Sequence, residues 1–140
     1  MPTWILYALA SMFFAGLTSV IAKFGLKNVP SDLGLAIRTT VVFILIWINA
    51  LALKHTQYMH LFSKKDILFL SISGITTTLS WIFYYRAIKL GDVSVVASID
   101  KASLVITILL AFFFLKEPLT PKVLLGAGLI VAGTLVLVFK

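Results

Sequence analysis

Five continuous apolar runs, Trp4 to Ala22, Leu33 to Leu53, Ile67 to Tyr85, Val93 to Leu115 and Val123 to Phe139, fill most of the chain and leave only short polar breaks between them. Each is about 17 to 23 residues long, enough at 1.5 Å per residue to cross a hydrocarbon layer of about 30 Å. Lipid offers no water to an unpaired N–H or C=O, so a spanning segment must be a helix or a strand of a closed barrel. The runs are continuous rather than alternating, which argues against barrel strands. The expected fold class is an all-α membrane protein with five transmembrane helices, at about 4–26, 33–53, 66–88, 93–115 and 121–139.

Composition excludes most other classes. With 61% hydrophobic and 12% charged residues and a mean hydropathy of +1.10, the chain lacks the polar groups needed to clothe a soluble domain. Met1 to Thr3 carries no basic side chain and no small-residue cleavage site stands out, so the first run is expected to be a helix rather than a signal peptide. Cysteine is absent, which removes disulfides, thiolate nucleophiles and cysteine-ligated metals. His55 and His60 flank a connecting loop and are expected to be solvated, not metal ligands. No Gly-rich phosphate loop or nucleophile motif is present, so the sequence supports neither an enzyme nor a cofactor. The net charge of +7 lies at scattered helix ends, a pattern that suits anionic lipid headgroups rather than nucleic acid.

The breaks carry capping chemistry. Ser31 or Asp32 is expected to cap the second helix, Ser63 to Asp66 to open the third, and Thr120 to cap the fifth with Pro121 at its first position.

Five spans put the two ends of the chain on opposite sides of the membrane. On the side of Met1, side A, lie Lys54, Lys64, Lys65, Lys116 and Lys122; on side B lie Lys23, Lys27, Arg86, Lys89 and Lys140, with Arg38 and Lys101 embedded. Orientation follows the Lys and Arg bias near helix ends. Five against five is almost no bias, as a dual-topology antiparallel homodimer requires; the alternative is a single orientation decided by Lys23 and Arg86 at the membrane edge.

Ionisable groups at membrane depth cost at least about 2.5 kcal/mol and are function candidates by default. Asp100 and Lys101 sit side by side in the fourth run, and Arg38 lies near the side B end of the second. Asp100 is a candidate for proton or cation coupling, and Arg38 and Lys101 for charge balance or an anionic substrate group. An ion pair of Arg38 with Asp100, purely structural, is the competing reading. In the third helix Ser73, Thr77, Ser80 and Tyr84 follow one helical stripe, with Trp81 beside it, and Ser103 and Thr107 continue from Asp100 in the fourth. These hydroxyls are expected either to line a wetted substrate cavity or to bond back to the preceding turn. The fifth helix carries Gly126, Gly128, Ala132 and Gly133, a small-residue face suited to close packing within the protomer or against a second subunit.

Taken in order, these segments resemble a known family. Tyr85-Arg86-Ala87-Ile88-Lys89-Leu90-Gly91, Ser94-Val95-Val96-Ala97, Phe114-Leu115-Lys116-Glu117 and Gly126-Ala127-Gly128-Leu129-Ile130-Val131-Ala132-Gly133 resemble the second half of an EamA domain of the drug/metabolite transporter superfamily. Phe14-Ala15-Gly16-Leu17-Thr18, Ala22-Lys23 and Ile37-Arg38-Thr39 are similar to its start. The resemblance implies that residues 1–140 form one EamA-like transmembrane domain. Typical members hold two inverted five-helix repeats, which implies two copies of this unit. In plan it also resembles the small multidrug resistance proteins, but the glutamate those carry in the first helix is missing here.

The expected function is therefore secondary transport of a small solute across the inner membrane by an antiparallel homodimer with alternating access. The competing class is a non-transporting membrane subunit or assembly partner.

Overall fold

The computed structural model describes residues 2–139; Met1 and Lys140, the latter counted above among the side B cations, lie outside the described residues. The described chain is helical, without strands: α1 (Thr3–Gly25), α2 (Ser31–Ala52), α3 (Lys64–Leu90), α4 (Val93–Lys101), α5 (Ser103–Leu110) and α6 (Pro121–Val138). A 3₁₀ segment at His55–Leu61 and a π-helical turn at Ala111–Leu115 complete it. Five helical stretches are long and apolar enough to cross a membrane, the fourth being Val93–Leu115. The apolar side chains that line their surfaces suit lipid as the solvent. The loop between α2 and α3 is more ordered than its sequence suggests, since the 3₁₀ segment fills it.

Two caps form as expected. Ser63 N–H and Oγ–H both donate to Asp66 Oδ2, at 3.0 and 2.7 Å, and Asp66 N–H returns to Ser63 Oγ at 3.2 Å, a reciprocal box that opens α3. Val123 N–H donates to Thr120 Oγ1 at 3.3 Å with Pro121 at the first position of α6. The expected cap on α2 does not form. Pro30 holds the capping position without a side-chain bond, because Ser31 already lies inside the helix and the Asp32 carboxylate is taken by Arg86. Lys54 and Lys116, not glycines, adopt the left-handed conformation that ends α2 and the π turn (φ 56° and 57°).

The chain divides into two compact units, residues 21–89 and residues 1–20 with 90–140. In the first, Leu26, Leu35, Tyr85 and Ile88 form a small buried core. A Cβ on Gly34 would run into Leu26 Cδ2, so glycine in the first turn of α2 lets the buried Leu26 side chain seat there. Around this core the chain ends of α1 and α3 cap one another. Lys23 Nζ donates to the Ile88 carbonyl at 2.5 Å, and Lys89 Nζ donates to the carbonyls of Leu26, at 3.3 Å, and Val29. Lys23 meets a carbonyl in the last turn of α3 and Lys89 meets the Leu26 carbonyl just past the end of α1, which suits the negative end of each helix dipole, while Val29 lies in the turn before α2. Arg86 forks onto Asp32 with Nε to Oδ1 at 3.1 Å and Nη2 to Oδ2 at 3.0 Å, tying α3 to the first turn of α2.

In the other unit, α4 and α6 meet at Thr134, whose single hydroxyl hydrogen is shared between Ile130 O at 2.9 Å and Ser98 O at 3.1 Å. The fourth span runs as expected from Val93 to Leu115, with one irregular residue at Ala102, whose backbone stays right-handed helical (φ −64°, ψ −16°). In a regular helix the Ser98 carbonyl accepts from the Ala102 amide; here it accepts from Thr134, and Ala102 N–H bonds to Ile99 O at 3.0 Å. A side chain inserted into the ladder is a recognised cause of a helix irregularity. Neither proline nor glycine is present in Asp100-Lys101-Ala102-Ser103 to provide another.

Candidate functional site

The irregular turn at Ala102 lies about 14 Å along the span from Val93, close to the middle of a layer about 30 Å thick. Asp100 and Lys101 stand on its near side with Lys101 Nζ 3.7 Å from Asp100 Oδ2. Adjacent residues on a helix do not face each other well, so the contact is loose. Asp100 and Lys101 keep 41% and 67% of their side-chain surface exposed, and the pair can receive a third group.

A groove of about 550 Å³ opens beside this pair, lined by Lys101, Ser98, Ser103, Thr107 and Thr134 with Leu104, Ile130, Gly133 and Leu137. Three sequence candidates, Lys101, Ser103 and Thr107, meet there with Gly133 from the small-residue face. Ser98 and Thr134 were not among the candidates. A threonine in an apolar helix carries no signal of its own until its partner is known.

Two of the candidate hydroxyls are bound locally. Thr107 donates to Ser103 O at 3.1 Å, and in α3 Thr77 donates to Ser73 O at 2.8 Å. These bonds use the hydrogen and leave the oxygen free to accept. Ser73, Thr77 and Ser80 all lie exposed along α3.

Arg38 belongs to the other unit. Its guanidinium carbon lies 4.5 Å from the centre of the Trp81 ring and 5.7 Å from that of Tyr85, and the Tyr84 and Tyr85 rings are 6.4 Å apart. Arg38 Nη1 and the Tyr85 hydroxyl are closed off from solvent with no hydrogen-bond partner among the described residues. Contact with an aromatic face contributes about 0.5 to 2 kcal/mol, less than the cost of about 2.5 kcal/mol or more for an arginine at membrane depth. The charge is undercompensated. Tyr85, one residue from the candidate Tyr84, is the phenol turned inward. Positions 81, 85 and 88 share a helical face, but their spacing does not mark that face as the inward one.

On α6, a Cβ at Gly126, Gly128 or Gly133 would meet nothing within 4 Å. Gly126, Gly128 and Ala132 are exposed.

The sequence model of the EamA-like transporter family matches residues 2–139. The chain belongs to the EamA-like transporter family. A relative from Sinorhizobium sp., described as an uncharacterized transporter in the cobO 3' region, is 39% identical over 135 residues, covering 96% of this chain and 96% of the relative. No solved structure matches. As an EamA protein, the chain is a multi-pass membrane transporter whose partners include the bilayer and a small-molecule substrate. Family and relative point to transport rather than enzymatic turnover.

Proposed function

We propose that this EamA protein is a secondary transporter of a small solute across the inner membrane, working as an antiparallel, dual-topology homodimer with alternating access. The observation that carries the reading is the Asp100–Lys101 pair beside an irregular turn in the fourth span of a chain from a transporter family. Interruptions of the helical ladder near the midplane are where secondary transporters commonly hold substrates and coupling ions, because they free backbone groups there. Asp100 would take up the coupling proton or cation. Lys101 and Arg38 would balance its charge or meet an anionic group on the solute, and Ser80, Trp81 and Tyr84 would touch the solute, with Ser73, Thr77, Ser103 and Thr107 along the wetted walls.

Two observations support the dimer. The α6 glycines have no neighbour where a Cβ would stand, which leaves a small-residue face for a second copy through Gly126, Gly128, Ala132 and Gly133. The near-even split of basic residues lets both orientations insert.

The test is solute uptake into vesicles that contain only the purified protein, under an imposed proton gradient, across amines, amino acids and organic anions. Uptake by this chain alone supports the reading. Uptake that appears only when a second membrane protein is added would make the chain an assembly partner instead.

A further inference from the structure

Arg38 and Tyr85 present the least satisfied polar atoms described in this protein. Buried donors without partners are rare, and each asks for a group that would complete it. Tyr85 is only 4% exposed, and its hydroxyl has no partner. Arg38 makes no hydrogen bond to any described residue, its Nη1 is enclosed, and the residue keeps partial exposure. Trp81 and Tyr85 supply the aromatic wall over which the guanidinium lies.

We propose that Arg38, Tyr85 and Trp81 form a binding site for a carboxylate group. This names the substrate class of the transport reading above, and it rests on that reading only in calling the bound molecule the cargo. An arginine fork fits the two oxygens of a carboxylate in one plane. A guanidinium held over an aromatic face keeps that fork from rotating freely, so little order is lost when the anion arrives. The Tyr85 hydroxyl adds one neutral donor. One cation with one phenol matches a singly charged, planar anion. Phosphate, with more charge and more oxygens, calls for a larger cluster of cations, and in this unit Lys23, Arg86 and Lys89 are already committed to the Ile88 carbonyl, Asp32 and the Leu26 carbonyl. An aliphatic or aromatic body on the acid suits the apolar walls nearby, so the expected ligand is a small monocarboxylate, free or as part of a zwitterion.

The chain has three tryptophans, which supplies a direct readout. With Trp4→Phe and Trp47→Phe, Trp81 is the sole emitter, and the purified protein is titrated with acetate, benzoate, benzamide, benzylamine and inorganic phosphate. The expected result is a saturable change in Trp81 emission with benzoate and acetate and none with the other three. Tyr85→Phe, which conserves volume, should weaken benzoate binding by roughly tenfold, the loss of one hydrogen bond to a charged group. Arg38→Gln should weaken it by at least about thirtyfold, with Arg38→Lys between wild type and Gln because a lysine lacks the fork. No saturable response to either carboxylate, an equal response to benzamide or phosphate, or benzoate binding unchanged in both Tyr85→Phe and Arg38→Gln would overturn the proposal.

Vesicle uptake separates this from the transport reading. Carboxylates that bind but are never moved count against transport and leave the site standing. Solutes that are moved while carboxylates neither bind nor compete overturn the site and leave transport standing.

Discussion

The hydroxyl of Thr134 donates at 3.1 Å to the carbonyl of Ser98, the acceptor that the amide of Ala102 would use in a regular helix. Two helices are thereby joined by a bond that one of them has given up from its own ladder. The consequence is local. Asp100 and Lys101 stand just before this irregular turn, beside the groove that Lys101, Ser103 and Thr107 line.

Thr134→Val keeps the shape and removes the donor. The Ser98 carbonyl can then recover the Ala102 amide, so overall stability should change by less than about 1 kcal/mol, the exchange of one hydrogen bond for another. Hydrogen exchange at the Ala102 amide should slow as the ladder closes. An exchange rate unchanged from wild type would show that Thr134 does not cause the irregular turn.

Lys89 holds the far end of α1 through Leu26 and Val29, as Lys23 holds the end of α3. Lys89→Ala should lower stability by about 1 to 2 kcal/mol through the lost charge-assisted bonds and the lost match to the helix dipole. Lys89→Gln should recover part of this. Thermal unfolding in detergent measures both, and an unperturbed melting temperature for Lys89→Ala would refute the reciprocal cap.

Asp100→Asn tests coupling. Insertion and assembly should persist, since the amide conserves size and removes a costly charge, while transport or its pH dependence is lost. Wild-type uptake at several pH values in the variant would remove Asp100 from the coupling role.

Gly128→Leu fills the open face of α6. If that face meets a second copy, the bulky side chain keeps the helices apart and shifts the detergent-solubilised protein toward monomer. A dimer mass that does not change excludes this face from the interface.

Orientation can be measured without a substrate, because a single cysteine in place of the exposed Gln57 is the only thiol in the chain. Under the near-zero basic bias, an impermeant reagent should label roughly half of the molecules. Three lysines added to the loop 54–65, or three at 89–92 in a second variant, should each drive labelling to one extreme and abolish transport. Expressing the two together should restore it. Complete or absent labelling in the wild type would establish a single orientation and rule out the antiparallel pair.

The membrane class, the number of spans and two of the caps were legible in the sequence because each depends on residues close in the chain. Run length decides whether a helix crosses the bilayer, and Ser63 with Asp66, or Thr120 with Pro121, decides where one starts. Asp100, Lys101 and Arg38 were equally legible, since a charge in an apolar run is visible without knowing its neighbours. Partners were not. In a bilayer both the packed and the lipid-facing sides of a helix are apolar, so the pattern that reveals the buried face of a soluble helix is lost. Only the tertiary structure decided that Thr134 would disturb the helical ladder at Ala102, that Lys23 and Lys89 would exchange helix ends, that Asp32 would serve Arg86 instead of capping α2, and that Tyr85 rather than Tyr84 would turn inward beside Arg38. Each of these joins residues far apart in sequence, and such contacts depend on which helices come together rather than on any spacing within one of them.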